Sequence, residues 1–269
     1  MTNSDPKRSK IRDLGDGLYN LRAPFYVAGI VNVGTAMSFV KLNNGKFIVL
    51  STVTLDKESK AEVDTLTQNG ELIEAVLATN PFHTLAFPAF HAAYPKAPIF
   101  GTPRHIRNYP DIPWAGAVTS ADVLTKWTPE LELSIPAGCE FDSPQPEIYN
   151  HFCGVISFHR ASRFLIGDDT FEAVKGMNAM TSFATGLKNG DVRFHPAFPS
   201  ENVFLKTPEA PKQCYEWFQT ILRDWDFDNL VSAHNGVMIG GFKEKLRAAV
   251  ERAKPGIQSI AKARGGSML

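Results

Sequence analysis

Short apolar runs, each closed by glycine, proline or polar residues, alternate along this chain with stretches whose apolar positions recur every three to four residues. The short runs predict strands near 18–22, 36–42, 46–51, 73–78, 97–101, 154–158, 163–167 and 229–233. The wider spacing predicts helices near 57–69, 86–93, 120–126, 171–182, 211–224 and 241–253. Asp56 stands where it can cap the first helix, and Pro211 suits the first turn of the fifth. The segment from Pro103 to Cys139 carries Pro110, Pro113, Pro129 and Pro136, with Trp114 and Trp127. It reads as a loop-rich connection passing beside the site, its tryptophans used in packing. No repeat of 20 to 50 residues is visible, which excludes a solenoid.

Candidate chemistry gathers at the ends of three of these strands. Phe164, Leu165 and Ile166 run into Gly167 and then Asp168 and Asp169, the form of a buried strand carrying a carboxylate to its tip. His151 lies seventeen positions before Asp168 (168 − 151), and the run Leu230–Ala233 ends in His234. Two histidines and an aspartate at strand ends make a metal-ligand set. Asp169 reads first as a carboxylate capping the next helix. His91, His105, His159 and His195 read as surface or satisfied core residues.

These segments, in this order, resemble the metallo-β-lactamase superfamily. His151 with Gly154 is similar to its third motif, Asp168 in GDDTF to the metal-bridging aspartate of the fourth, and His234 to the last metal histidine. The opening, GDGLYNLRAP followed by a strand, a turn at Asn44–Lys46 and FIVLST, fits as well, so the likeness spans about residues 12 to 255. The resemblance implies an α/β four-layer αββα sandwich. It would form one domain over 11–260, between a disordered tail (1–10) and a flexible one (261–269).

The departure lies in the His-x-His-x-Asp-His motif. Its four ligand places hold Asn80, Phe82, Thr84 and Leu85, and Ser51 replaces the acid that ends the preceding strand. His83 stands between those places, and Asn80–His83 looks like the Asn-x-x-His arrangement of one branch of the superfamily. Carried over, the resemblance implies a reduced site for one divalent ion (zinc, iron or manganese) held by His83, His151, Asp168 and His234. Asp168 and His234 would be the catalytic groups, with Asn80 or Thr84 touching water or substrate. The activity implied is hydrolysis of an ester, thioester, lactone or phosphodiester. The alternative is a catalytically inactive pseudoenzyme, a metal-free binding or scaffolding module, with Phe82 and Leu85 making the old ion site partly apolar. A third course, metal-free catalysis with His83 or His234 as general base, lacks an evident nucleophile.

Composition narrows the partners. With 28 basic and 28 acidic residues the chain has zero formal charge, so nothing marks a nucleic-acid or membrane surface, and the expected partner is a small molecule. With 269 residues, 43% of them hydrophobic, the chain can bury a substantial core. Cys139, Cys153 and Cys214 are widely spaced and form neither a disulfide framework nor a zinc knuckle; Cys153 is expected to pack. No run reaches the ~20 apolar residues of a membrane span, and the polar start lacks a signal-peptide core. The expected location is cytoplasmic, with a peroxisomal alternative from the C-terminal Ser267-Met268-Leu269.

Overall fold

In a computed structural model of the chain, two sheets lie face to face between two sets of helices. The structure describes residues 10–27, 31–142, 144–174, 185–234 and 236–266. The strands are β1 (Ile11–Gly15), β2 (Leu18–Ala23), β3 (Tyr26–Val27), β4 (Val31–Asn32), β5 (Thr35–Lys41), β6 (Phe47–Leu50), β7 (Ile73–Leu77), β8 (Ile99–Gly101) and β9 (Gly116–Ala117). They continue with β10 (Leu131–Ser134), β11 (Ile156–His159), β12 (Phe164–Ile166), β13 (Phe171–Ala173), β14 (Val192–Phe194), β15 (Asn229–Val231) and β16 (Val237–Met238). The helices are α1 (Lys57–Thr67), α2 (Phe87–Ala93), α3 (Pro103–Asn108), α4 (Ala121–Thr125), α5 (Ala210–Asp224) and α6 (Phe242–Ala263).

The first sheet runs in the order β1-β2-β5-β6-β7-β8-β9 and the second in the order β10-β11-β12-β15-β16. Alternation along β6 shows the layering. Phe47 and Val49 pack on Val63 of α1 and Phe87 and Phe90 of α2, while Ile48 and Leu50 join the cluster shared with the second sheet. That cluster holds Ile156, Phe158, Leu165 and Leu230 from the second sheet, and Phe218 of α5 and Phe242 of α6 beyond it. Strands buried on both faces read as continuous apolar runs, which is why the sequence shows them clearly. Asp56 caps α1 as expected, its carboxylate accepting from the Ser59 amide at 2.8 Å.

Three expectations are corrected. A helix over 171–182 was expected, yet Phe171–Ala173 is a strand paired antiparallel with β14; residues 175–184 lie outside the described residues. Cross-strand pairs hold it: Glu172 faces Arg193, with an ion pair at 2.7 Å, and Phe171 faces Phe194 with rings 6.0 Å apart. The segment 103–139 is not mainly loop. Thr102 caps α3 with Pro103 at its first position, and Leu131 and Leu133 alternate with half-buried Glu132 and Ser134 to make β10. Trp127 is buried in it, its indole N–H on Glu74.

The last helix passes the expected end at 253 and continues through Pro255 to Ala263. An internal proline costs about 3 kcal/mol. The apolar stripe offsets it, since Leu246, Val250, Ile257 and Ala261 are all buried. Arg264 then binds Glu201, so the described chain is anchored through residue 266; positions 1–9 and the Ser267-Met268-Leu269 tripeptide lie outside the described residues. No helix among the described residues is long and apolar enough to cross a membrane. All three cysteines are free and buried.

Candidate metal centre

The site forms where the turn leaving β7 meets the strand ends of the second sheet. Thr79 to Thr84 make a tight bend. The Asn80 side-chain oxygen accepts from the Phe82 amide at 2.8 Å, and the Asn80 carbonyl accepts from the His83 amide at 3.1 Å. This local closure is the usual work of asparagine before a helix start, and it swings His83 inward. Both ends of the Asn80 amide are occupied, since its Nδ2 donates to the His151 carbonyl at 3.1 Å. Asn80 is thus buried and ties the turn to the His151 backbone, and Thr84 is buried in the turn before α2.

The second sheet approaches closely. The Val155 amide donates to the Thr79 carbonyl at 2.6 Å, and a Cβ on Gly154 would stand 3.0 Å from that same oxygen. Gly154, three residues after His151, thus leaves room for the two sheets to approach closely at the site.

Asp169 is the centre. Its Oδ2 lies 3.0 Å from His83 Nε2 and 2.9 Å from His151 Nδ1; its Oδ1 lies 3.1 Å from His234 Nε2. The sequence assigned this place to Asp168. That residue still belongs to the ladder, its carbonyl accepting from the Ala233 amide, and its Oδ2 accepts from Thr79 Oγ1 at 2.5 Å. Asp169, the first residue past the ladder, is free to turn inward. His83, His151 and Asp169 offer ligand atoms all within 4.8 Å of one another, a set that could hold a metal ion; His234 stands outside it, against the other carboxylate oxygen.

His234 carries the most telling geometry. Its Nδ1 is 2.6 Å from the Gly34 carbonyl, which can only accept, so Nδ1 bears the hydrogen. In the neutral ring Nε2 then presents a lone pair to Asp169 Oδ1. That oxygen is buried and, despite the 3.1 Å approach, has no aligned hydrogen bond. Two lone pairs face each other, and a cation between them, proton or metal, is what the arrangement requires. Histidines bound to metals commonly donate their second ring nitrogen to a carbonyl in this way. Ligand atoms around a tetrahedral ion with bonds of about 2.0–2.1 Å stand about 3.3 Å apart. His83 and His151 stand 3.0 and 2.9 Å from Asp169 Oδ2, and all three ligand atoms lie within 4.8 Å of one another, so this donor set suits an ion.

Electrostatics follow from this packing. Burial alone would lower the His83 pKa, but the charge and hydrogen bond of Asp169, helped by Asp168, raise it to about 9. Asp169 suffers the same burial penalty, yet the three imidazoles hold it well below the usual carboxylate range. His234 is likewise raised by Asp169 against its burial. Asp168 goes the other way, pushed up mainly by burial.

His195 was not expected here. The β13–β14 hairpin returns the chain so that Phe194 pairs with Phe171, which brings His195 back beside Asp169. Its ring stacks on His151 at 5.2 Å and 16°, while Phe82 covers His151 at 3.9 Å with Arg104 over Phe82 in turn. Burial lowers the His195 pKa to about 4, so the ring is neutral. No local motif marks His195 or Asp169; only the hairpin register and the end of the ladder select them. His105 is structural, neutral with a pKa lowered to about 4 by burial, its Nε2–H on the His83 carbonyl.

No protein-family model matches the sequence, and no curated protein matches it. The fold is nevertheless shared with solved structures. A metallo-β-lactamase from Erythrobacter litoralis, with β-mercaptoethanol in its active site, is 12% identical with a TM-score of 0.58, over 90% of this chain and 96% of that one. The metallo-β-lactamase FIM-1 from Pseudomonas aeruginosa, in a mono-zinc form, is 9% identical with a TM-score of 0.57, over 90% and 95%. A metallo-β-lactamase from Pontibacter korlensis is 9% identical with a TM-score of 0.56, over 90% and 98%. At such identities the likeness establishes the fold, and the chain has the metallo-β-lactamase fold.

Proposed function

We propose that this protein is a metal-dependent hydrolase with a reduced site for one divalent ion, held by His83, His151 and Asp169 and flanked by His234. The observation that carries the proposal is the convergence of His83 Nε2, His151 Nδ1 and an Asp169 carboxylate oxygen, ligand atoms all within 4.8 Å of one another where the two sheets meet. Three protein ligands leave a position open, the pattern of catalytic rather than structural zinc sites. A structural relative crystallised with one zinc supports the compatibility of a single ion with this fold.

A bound divalent ion supplies Lewis-acid polarisation of a carbonyl or phosphoryl oxygen and lowers the pKa of its water from about 15.7 towards about 7. The chain's own residues do the rest. Asp169 orients the three imidazoles, Asn80 ties the β7 turn to the His151 backbone, and Phe82 shields one face of His151 from water. The substrate class proposed is an ester, thioester, lactone or phosphodiester, with zinc, iron or manganese as the ion.

One observation favours a second reading, a metal-free binding module. With His83 raised to about 9, its cation can pair with the Asp169 carboxylate through Nε2 without a metal. Elemental mass spectrometry on untagged protein purified without added metal separates the two, beside a His151→Ala/His234→Ala variant. About one transition-metal ion per chain, lost in the variant, supports the hydrolase and directs a screen of the four substrate classes. No metal, and no thermal shift on adding zinc or manganese, would sink it in favour of the binding module.

A further inference from the structure

Beside the three imidazoles paired with Asp169 stands a fourth, His195, stacked on His151. The Ala197 amide donates to its Nδ1 at 3.2 Å, so Nδ1 is the acceptor and Nε2 carries the hydrogen. Nε2 has no partner among the described residues and is not sealed from solvent. The ring is held nearly parallel to His151, a proposed ligand, and its hairpin is tied down by the Glu172–Arg193 pair. A donor whose direction is set by the backbone, unpaired and one ring away from the ligand set, is built to meet an oxygen that the protein does not provide.

We infer that His195 is a catalytic residue of the proposed hydrolase, its Nε2–H donating a hydrogen bond to the substrate oxygen on which negative charge develops. The inference rests on the hydrolase reading. No bond is made or broken at His195, and its proton stays on Nε2 throughout. Such a preset donor needs no reorganisation when charge appears, which is where fixed dipoles act most strongly. The competing role is purely positional: a flat ring clamping His151.

Two substitutions separate the roles, because His195→Gln keeps an N–H donor without the ring and His195→Phe keeps the ring without the donor. The probe is inorganic phosphate, a tetrahedral oxyanion, titrated by calorimetry into zinc-loaded and metal-free protein, with zinc content measured on every sample. We expect phosphate affinity to fall about tenfold to a hundredfold in His195→Phe, the scale of a hydrogen bond to a charged group. His195→Gln should stay within about threefold of wild type, and zinc content should be unchanged in both. Equal affinities in all three proteins, or no phosphate binding by the wild type, overturn the inference. So does rescue by phenylalanine but not glutamine, or loss of zinc in either variant, which would mark a clamp. Failure of wild type to take up zinc counts against the hydrolase reading; the His195 role is then read from the metal-free titrations.

Discussion

Two strand-end turns build the centre of this molecule, and they work in opposite ways. The turn after β7 in the first sheet spends its polar groups on closing the bend and tying it to the second sheet, through Thr79 and Asn80, and brings one imidazole, His83, to Asp169. The turn after β12 in the second sheet delivers two adjacent acids whose fates diverge. Asp168 stays in the ladder and bonds Thr79, while Asp169, one residue on, gathers three histidines. The first turn thus contributes one imidazole and the second the carboxylate that collects it with two more.

The sharpest way to break this contrast is to remove the acid at its centre. Asp169→Asn should abolish metal binding by elemental analysis. In metal-free protein it should also cost about 3–5 kcal/mol in denaturant unfolding, because charged His83 loses its buried partner. If Asp169→Asn binds metal like wild type, the assignment of the centre is wrong.

A pH series sharpens the same point without mutation. His83 has a folded pKa of about 9 against 6.5 unperturbed. Its stabilising contribution in metal-free protein is therefore complete below pH 6.5 and disappears as pH rises through 9, at most about 3 kcal/mol. Asp169 acts oppositely: its depressed pKa contributes above the ordinary carboxylate range and is lost as pH falls through the folded value. Urea unfolding at pH 6 and pH 9.5 should show the loss in wild type and a smaller one, left by His234, in His83→Gln. Zinc affinity should climb over the same interval, since metal displaces the His83 proton.

The bracing of the first turn is a smaller effect. Asn80→Ala removes the bend-closing acceptor and the tie to His151, and should cost about 1–3 kcal/mol while weakening metal binding without abolishing it. Smallest of all should be Asp168→Asn. Asn keeps an acceptor for Thr79, and burial already disfavours the Asp168 charge, so stability should change by no more than about 1 kcal/mol and metal content not at all. A loss of metal from this variant matching that of Asp169→Asn would erase the distinction between the two acids.

Much of the fold was legible in the chain. Strands such as 36–42, 73–78 and 163–167 are buried on both sides and announce themselves as apolar runs. Asp56, Pro211 and the α5 periodicity mark helices by local chemistry. His151 and His234 could be named because one stands just before such a run and the other closes one. What escaped is what depends on partners far away in sequence. Phe171–Ala173 is a strand only because β14 pairs with it, and α6 passes Pro255 only because the core receives Ile257 and Ala261.

The sequence by itself determined the central apolar strands, the amphipathic helices and their caps, because periodicity and capping act over a few neighbouring residues, while the two-sheet architecture came from the resemblance. Only the tertiary structure decided that Asp169 rather than Asp168 is the centre, that Asn80 ties its turn to the His151 backbone, and that His195 lies against His151. Those outcomes turn on where a ladder stops and which strand a hairpin meets, and a shift of one residue there exchanges which side chain faces the site.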